Sequence, residues 1–136
     1  MMRMFIDSVI WIAYKNTRDT WHEKAKSLLP RVLGTAERVY VTDYVVLETV
    51  NHLLRKTTFQ TAKETLEMFL NSSRLTLIMN DENTLRATQD FFCEFPGLSV
   101  TDANIVLHMR KLQDKTLFSF DKGFDQVRKI LRKEVS

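Results

Sequence analysis

The sequence predicts an α/β domain built on a mostly parallel sheet, and three observations predict it. Short apolar segments rich in β-branched residues alternate along the chain with longer segments whose apolar residues recur every three or four positions. The short segments are apolar throughout instead of alternating with polar residues, as strands are when both faces are covered. Only three Gly and two Pro occur in 136 residues, which leaves little sequence for linkers. Residues 1–136 therefore read as a single domain, long enough to bury about two-thirds of the surface its unfolded chain exposes.

The elements follow in order. "RMFID" is a short apolar run ending in an acid and suits a buried strand. "TWHEKAKSLLPRVL" spaces Trp21, Ala25, Leu28 and Leu29 as a helix does. "RVYVT" is a second strand. Thr42 then stands as an N-cap with Asp43 in the first turn, where the helix dipole favours an anion, so a helix is expected over 43–55. "FQTAKETLEMFLNS" is the next helix, with Ala62, Leu66, Phe69 and Leu70 inward, and "RLTLIMN" is a third strand. "DENTLRATQDFFCEF" is a helix with an acidic first turn. Pro96 and Gly97 interrupt it, and "GLSVT" reads as a short fourth strand or extended segment. "DANIVLHMRKLQ" is helical, "TLFSF" is a fifth strand, and the basic tail "QVRKILRKEVS" is expected to be helical.

Composition narrows the class. A hydrophobic fraction of 44% and a charged fraction of 27% are those of a folded globular chain, which argues against disorder. No apolar run approaches the ~20 residues of a membrane span, and Asp7 breaks the one apolar stretch that a signal peptide would need. Cys93 is the only cysteine, which excludes an intrachain disulfide and a cysteine zinc cluster. A cytoplasmic location is expected. The net charge of +3 permits a polyanionic partner without demanding one. Arg128, Lys129, Arg132 and Lys133 concentrate the excess in the tail, where a solvated helix face is the plainer expectation. No GxGxxG, P-loop, GxSxG or HExxH pattern is present.

Four acids stand out by position. Asp7 closes the first strand, inside the apolar stretch "MFIDSVIWIAY". A buried ionised carboxylate without partners costs several kcal/mol, so Asp7 needs an edge, a partner or a cation. Asp102 follows the fourth expected strand and Asp121 the fifth. In open parallel sheets, ligands bind beyond the carboxyl ends of the strands where strand order reverses. If those strands are neighbours, the three acids converge there. Glu48 interrupts the most apolar helix, with Asn51 and His52 as its helical neighbours, neither of which neutralises it as Lys or Arg would. Carboxylates crowded into one crevice raise one another's pKa, and a divalent cation resolves the repulsion. An all-oxygen set suits Mg²⁺, or Mn²⁺ in its place, better than Zn²⁺, and such a site suits phosphodiester hydrolysis. Each acid also has a plain structural use, Asp102 in a first helical turn and Asp121 in a turn before Gly123. Ser8 and Ser119 flank the expected site and suit either orienting a carboxylate or capping. Trp11 and Trp21 are able to stack a base, but helix-core packing is the expected use.

The chain resembles the PIN-domain family, especially its small VapC-type toxins, and the resemblance runs nearly end to end. "MFIDSVIWIA" resembles the opening strand with Asp7 as first acid. "YVTDYVVLETVNHLL" resembles the second block with Glu48, and "LSVTDANIVLHM" the third with the Asp102–Ala103 pair. "LFSFDKGF" resembles the fourth, through Ser119, Asp121 and Phe124. The resemblance implies a Rossmann-like three-layer fold with sheet order 3-2-1-4-5 and a Mg²⁺- or Mn²⁺-dependent endoribonuclease acting on RNA. It also implies a homodimer held in check by a small antitoxin protein. In that setting the tail and Arg55, Lys56, Arg110 and Lys122 are expected to hold the RNA backbone. Two positions depart from the family pattern: Val9 follows Ser8, and Gly123 stands where a second acid is common, with Asp125 beyond Phe124. Three other readings stay open: an RNA-processing PIN nuclease outside a toxin pair, a flavodoxin-like signalling receiver with Asp81 as phosphoacceptor and Lys122 as its lysine, and a non-catalytic binding module on a nuclease fold.

Overall fold

The structure is a computed structural model and describes residues 2–128 and 130–133. Five strands form one sheet: β1 (Arg3–Ile6), β2 (Arg38–Thr42), β3 (Leu75–Ile78), β4 (Thr116–Phe118) and β5 (Leu131–Lys133). Their order is β3-β2-β1-β4-β5 and every pairing is parallel. This is the order implied by the family resemblance. It differs from the 2-1-3-4-5 order of flavodoxin-like receivers.

The helices are α1 (Ser8–Lys15), α2 (His22–Thr35), α3 (Asp43–Lys56), α4 (Phe59–Asn71), α5 (Glu82–Glu94) and α6 (Val100–Leu112). From β1 to β2 to β3 the chain steps in one direction, then it jumps back across β1 to β4. Right-handed crossovers therefore lay α1–α4 on one face and α5 and α6 on the other. The reversal falls between β1 and β4, so the carboxyl ends of these two strands open the crevice.

A side-chain cap starts every helix except α2. Thr42 Oγ1 accepts from Val45 N at 3.1 Å, the expected cap of α3. Asp81 closes a reciprocal capping box with Thr84 at the start of α5, which is a structural use for the residue weighed as a phosphoacceptor. The segment "SVIWIAY", whose spacing alone names no element, is α1. It buries Ile10, Trp11 and Ala13 completely, and Trp11 meets Phe69 of α4 edge to face, with centroids 5.1 Å apart.

Three expectations are corrected. Leu66 and Leu70, expected inward on α4, are exposed, and Ala62, Thr65 and Phe69 form its buried side. "GLSVT" forms no strand, and of it only the extended backbone at Ser99 fits the expectation. Ser99 caps α6, its hydroxyl accepting from Asp102 N at 3.1 Å, and α6 begins at Val100. "TLFSF" thus supplies β4, and the fifth strand comes from the tail that was expected to be helical. Leu131 N donates to Lys115 O at 2.6 Å and Ser119 N to Lys133 O at 2.9 Å. Arg132 adds a bidentate ion pair to Asp125, at 2.8 and 3.1 Å. Edge pairing and this ion pair override the helical spacing of the basic residues. Lys129 and residues 134–136 lie outside the described residues, so that part of the tail is not compared.

Phe69 is 1% exposed and forms the contact between α4 and Trp11. Phe69→Ala is expected to lower the unfolding free energy by about 3–5 kcal/mol in urea titrations. A loss below about 1 kcal/mol would mean that this aromatic pair does not anchor the layer.

Candidate active site

Asp7 sits one residue beyond β1. Its amide donates to Phe118 O at 3.4 Å and carries the parallel pairing past the end of the strand. There its side chain caps α1, with Oδ1 accepting from Ile10 N at 3.3 Å. A carboxylate at an N-cap is locally favourable, but Asp7 is wholly buried. The other oxygen, Oδ2, accepts from the Ser119 hydroxyl at 2.5 Å. Burial is the main cause that pushes the Asp7 carboxyl up to about 8. The Ser119 hydrogen bond opposes it, while Asp102 and Asp121 push it further up.

Ser119 follows β4 directly and links two acids. Besides donating to Asp7, its Oγ accepts from Asp121 N at 2.9 Å. Asp121 opens a short 3₁₀ turn, Lys122–Gln126, and its Oδ1 accepts from Gly123 N at 2.8 Å. A Cβ on residue 123 would stand 3.0 Å from that oxygen, so the turn that aims Asp121 is tight at the position where the family pattern has an acid. Asp125 does not replace that acid, because Arg132 holds both its oxygens. The same guanidinium donates to Ser119 O at 3.2 Å, tying β5 to the site.

Asp102 lies in the first turn of α6, as the plain reading of this residue had it, and not at the end of a strand. The turn nevertheless faces the other acids. Burial foremost pushes the Asp102 carboxyl up to about 6, with Glu48 and Asp121 adding repulsion and Ser99 opposing. Glu48 reaches the group from α3, half-buried, and its Oε2 accepts from the Ser8 hydroxyl. All four acids are thus brought into one electrostatically linked group, and both flagged serines donate to a member of it. Among the described residues, no three of His, Cys, Asp or Glu close tightly enough to hold a metal ion.

Glu48 also borders an open depression shared with Tyr44, Leu47, Leu85, Val100 and Thr101. A hollow of about 760 Å³ lies at the amino ends of the strands, around Arg3, Glu37 and Lys115, and contains none of the four acids. The four acids gather instead beyond the strands' carboxyl ends.

One polar assembly was missed in the sequence. Asn80, just after β3, donates to Asp43 Oδ1 at 2.6 Å and to Asn104 Oδ1 at 3.0 Å. Its Oδ1 accepts from Asn104 at 2.8 Å and from His108 Nε2 at 2.8 Å. Asn104 also donates to Thr88 Oγ1 at 2.9 Å. Burial foremost holds the His108 pKa below its ordinary value. The assembly locks α6, two residues beyond Asp102, to α3 and α5. Of the basic residues expected at the RNA, Arg110 lies over the Phe91 ring at 4.9 Å.

Comparisons with known proteins agree with this architecture. The model of the PIN domain matches residues 4–130. No curated protein matches the sequence. Among solved structures, VapC20 of Mycobacterium tuberculosis, described as a sarcin-ricin loop cleaving toxin, superposes with a TM-score of 0.80 at 22% identity. The match covers 90% of this chain and 93% of that one. VapBC2 of Rickettsia felis, solved bound to a DNA fragment from its promoter, gives 0.70 at 15% identity over 97% and 98% of the two chains. A toxin–antitoxin complex from Klebsiella pneumoniae gives 0.65 at 15% over 94% and 95%. The fold is the one these structures share, and with the family model spanning nearly the whole sequence, the chain belongs to the PIN-domain family.

Proposed function

We propose that the chain is a Mg²⁺- or Mn²⁺-dependent endoribonuclease, the toxin of a toxin–antitoxin pair, with Asp7, Glu48, Asp102 and Asp121 as its metal ligands. One observation carries the reading. A fully buried carboxylate stands at the sheet's reversal point, and the groups that act on it are a hydroxyl, a backbone amide and two further acids. Such a group is neutral or faces a cation. The donor set is all oxygen, with no imidazole or thiolate among the four, and fits a hard dication. Bound there, the ion would supply an activated water and neutralise charge growing on a phosphoryl oxygen. The chain's own part is positioning. Ser119 holds Asp7 and Asp121 in register, Ser8 turns Glu48 inward, and the Ser99 cap aims Asp102. RNA as substrate is supported by membership of the PIN-domain family and by likeness to VapC20, the sarcin-ricin loop cleaving toxin. An antitoxin partner is supported by likeness to VapBC2 and the Klebsiella complex. A homodimer is supported by the exposed Leu47, Leu85 and Val100 beside Glu48. A cytoplasmic setting suits the exposed thiol of Cys93.

Asp7→Asn is expected to cut cleavage of an RNA substrate by about 100-fold or more while leaving the circular dichroism spectrum unchanged. Chelation should silence the wild type, and Mg²⁺ or Mn²⁺ should restore it. Undiminished metal-dependent cleavage by the Asn variant would remove Asp7 from the chemistry. A wild type that binds RNA without cutting it in either metal would favour the binding-module reading.

The same carboxylate makes stability depend on pH. Without metal, folded Asp7 keeps its proton up to about 8, against 3.8 for the free group. Across that window the folded state binds more protons than the unfolded one. The contribution of Asp7 is therefore complete at the acid end and is lost as pH rises through the folded value. In chelator, the melting temperature of wild type minus that of Asp7→Asn should fall between about pH 5 and about pH 8. Mn²⁺ should reverse the fall for wild type alone. A difference that rises with pH would contradict the assignment.

A further inference from the structure

We propose that Trp21 is a stacking platform for one unpaired base of the RNA substrate. The proposal deepens the nuclease reading and rests on it, since it adds a subsite on Phe120, in the segment that carries Ser119 and Asp121.

The two tryptophans have opposite fates. Trp11 is 0% exposed in the core, whereas Trp21 is 42% exposed at the start of α2. The Trp21 indole lies on Phe120 with centroids 4.9 Å apart and planes 22° from parallel. Phe120 is the residue between Ser119 and Asp121. It is itself buried and braced edge to face on Phe118, at 6.1 Å and 84°. A buried aromatic fixed to the acidic site by its own backbone thus supports an open aromatic from below.

Lys24 shows which face of the indole is free of both partners. Its Nζ lies 5.1 Å from the Trp21 centroid and 5.0 Å from that of Phe120. With the rings 4.9 Å apart, the three points make a nearly equilateral triangle. The ammonium therefore stands beside the stack, not on top of it. The outward indole face is capped by neither Phe120 nor Lys24, and a positive charge stands at its rim. A flat π-surface with a cation beside it is how sequence-tolerant single-strand binders take a base and its phosphate.

The platform is also rigid before any ligand arrives. Trp21 N donates to Asp19 Oδ1 at 2.8 Å, and His22 Nδ1 donates to Ala13 O at 2.8 Å. Both sides of Trp21 in the chain are anchored, so a base finds the ring in place and little ordering cost falls on binding.

The test uses a short single-stranded RNA, labelled for anisotropy and titrated in chelator so that it stays intact. Trp21→Leu keeps an apolar cover on Phe120 but has no π-face. It is expected to bind about tenfold more weakly, and Trp21→Tyr should recover most of the loss. In RNAs with one abasic position, the gap between wild type and Trp21→Leu should vanish at one position and persist at the others. Intrinsic tryptophan emission of the wild type should be quenched by intact RNA and spared by that abasic one, a readout independent of any variant's folding. Wild-type affinity in Trp21→Leu, with unquenched emission, would overturn the platform and leave the nuclease reading standing. A wild type that neither binds nor cleaves RNA would overturn both.

Discussion

The rest of the structure is arranged around one buried carboxylate. Asp7 lies wholly buried where β1 ends and the sheet reverses toward β4, with the Ser119 hydroxyl and the other acids beside it. Local folding explains why a chain tolerates it there. The same carboxylate starts α1 by capping Ile10 N, and the hydroxyl following β4 completes its second oxygen. Two hydrogen bonds do not offset full burial, so the group is left either protonated or waiting for a positive charge. A protein that needed only a helix cap would meet that need with a serine and no charge.

The other acids approach this point from separate elements, and each is fixed by a small polar device. Ser119 bridges Asp7 and Asp121. The Asn80, Asn104 and His108 assembly holds α6, hence Asp102, against α3, hence Glu48. Arg132 fastens the edge strand to the segment carrying Ser119. Buried polar contacts of this kind specify geometry because a half-satisfied one is costly. The result is a set of like charges held near one another by the fold and not by mutual attraction, which is the arrangement expected of a site completed by a cation.

What could be read in the sequence follows from range of interaction. Asp7 and Glu48 were legible because each breaks an apolar run, a signal contained within a few neighbours. The Thr42 cap and the start of α3 were legible for the same reason. The element around Ser99 was misread because "GLSVT" has strand-like residues, while the decisive contact is a serine hydroxyl meeting an amide three positions on. The tail was misread because basic residues at helical spacing also suit an edge strand, and β4 supplies the partner that decides. The Asn80–Asn104 pair joins residues 24 apart, and Trp21 meets Phe120 across most of the chain, so neither contact leaves a local trace. The strand order itself came from family resemblance, not from periodicity.

The central claim is that these four acids share one dication. Crystals soaked in Mn²⁺ and measured for anomalous scattering test it directly. The account predicts a peak at the carboxyl ends of β1 and β4, about 2 Å from carboxylate oxygens of Asp7 and at least one of Glu48, Asp102 and Asp121. A peak elsewhere with the Asp7 carboxyl still bonded only to Ser119 and Ile10, or no peak at saturating Mn²⁺, would contradict it.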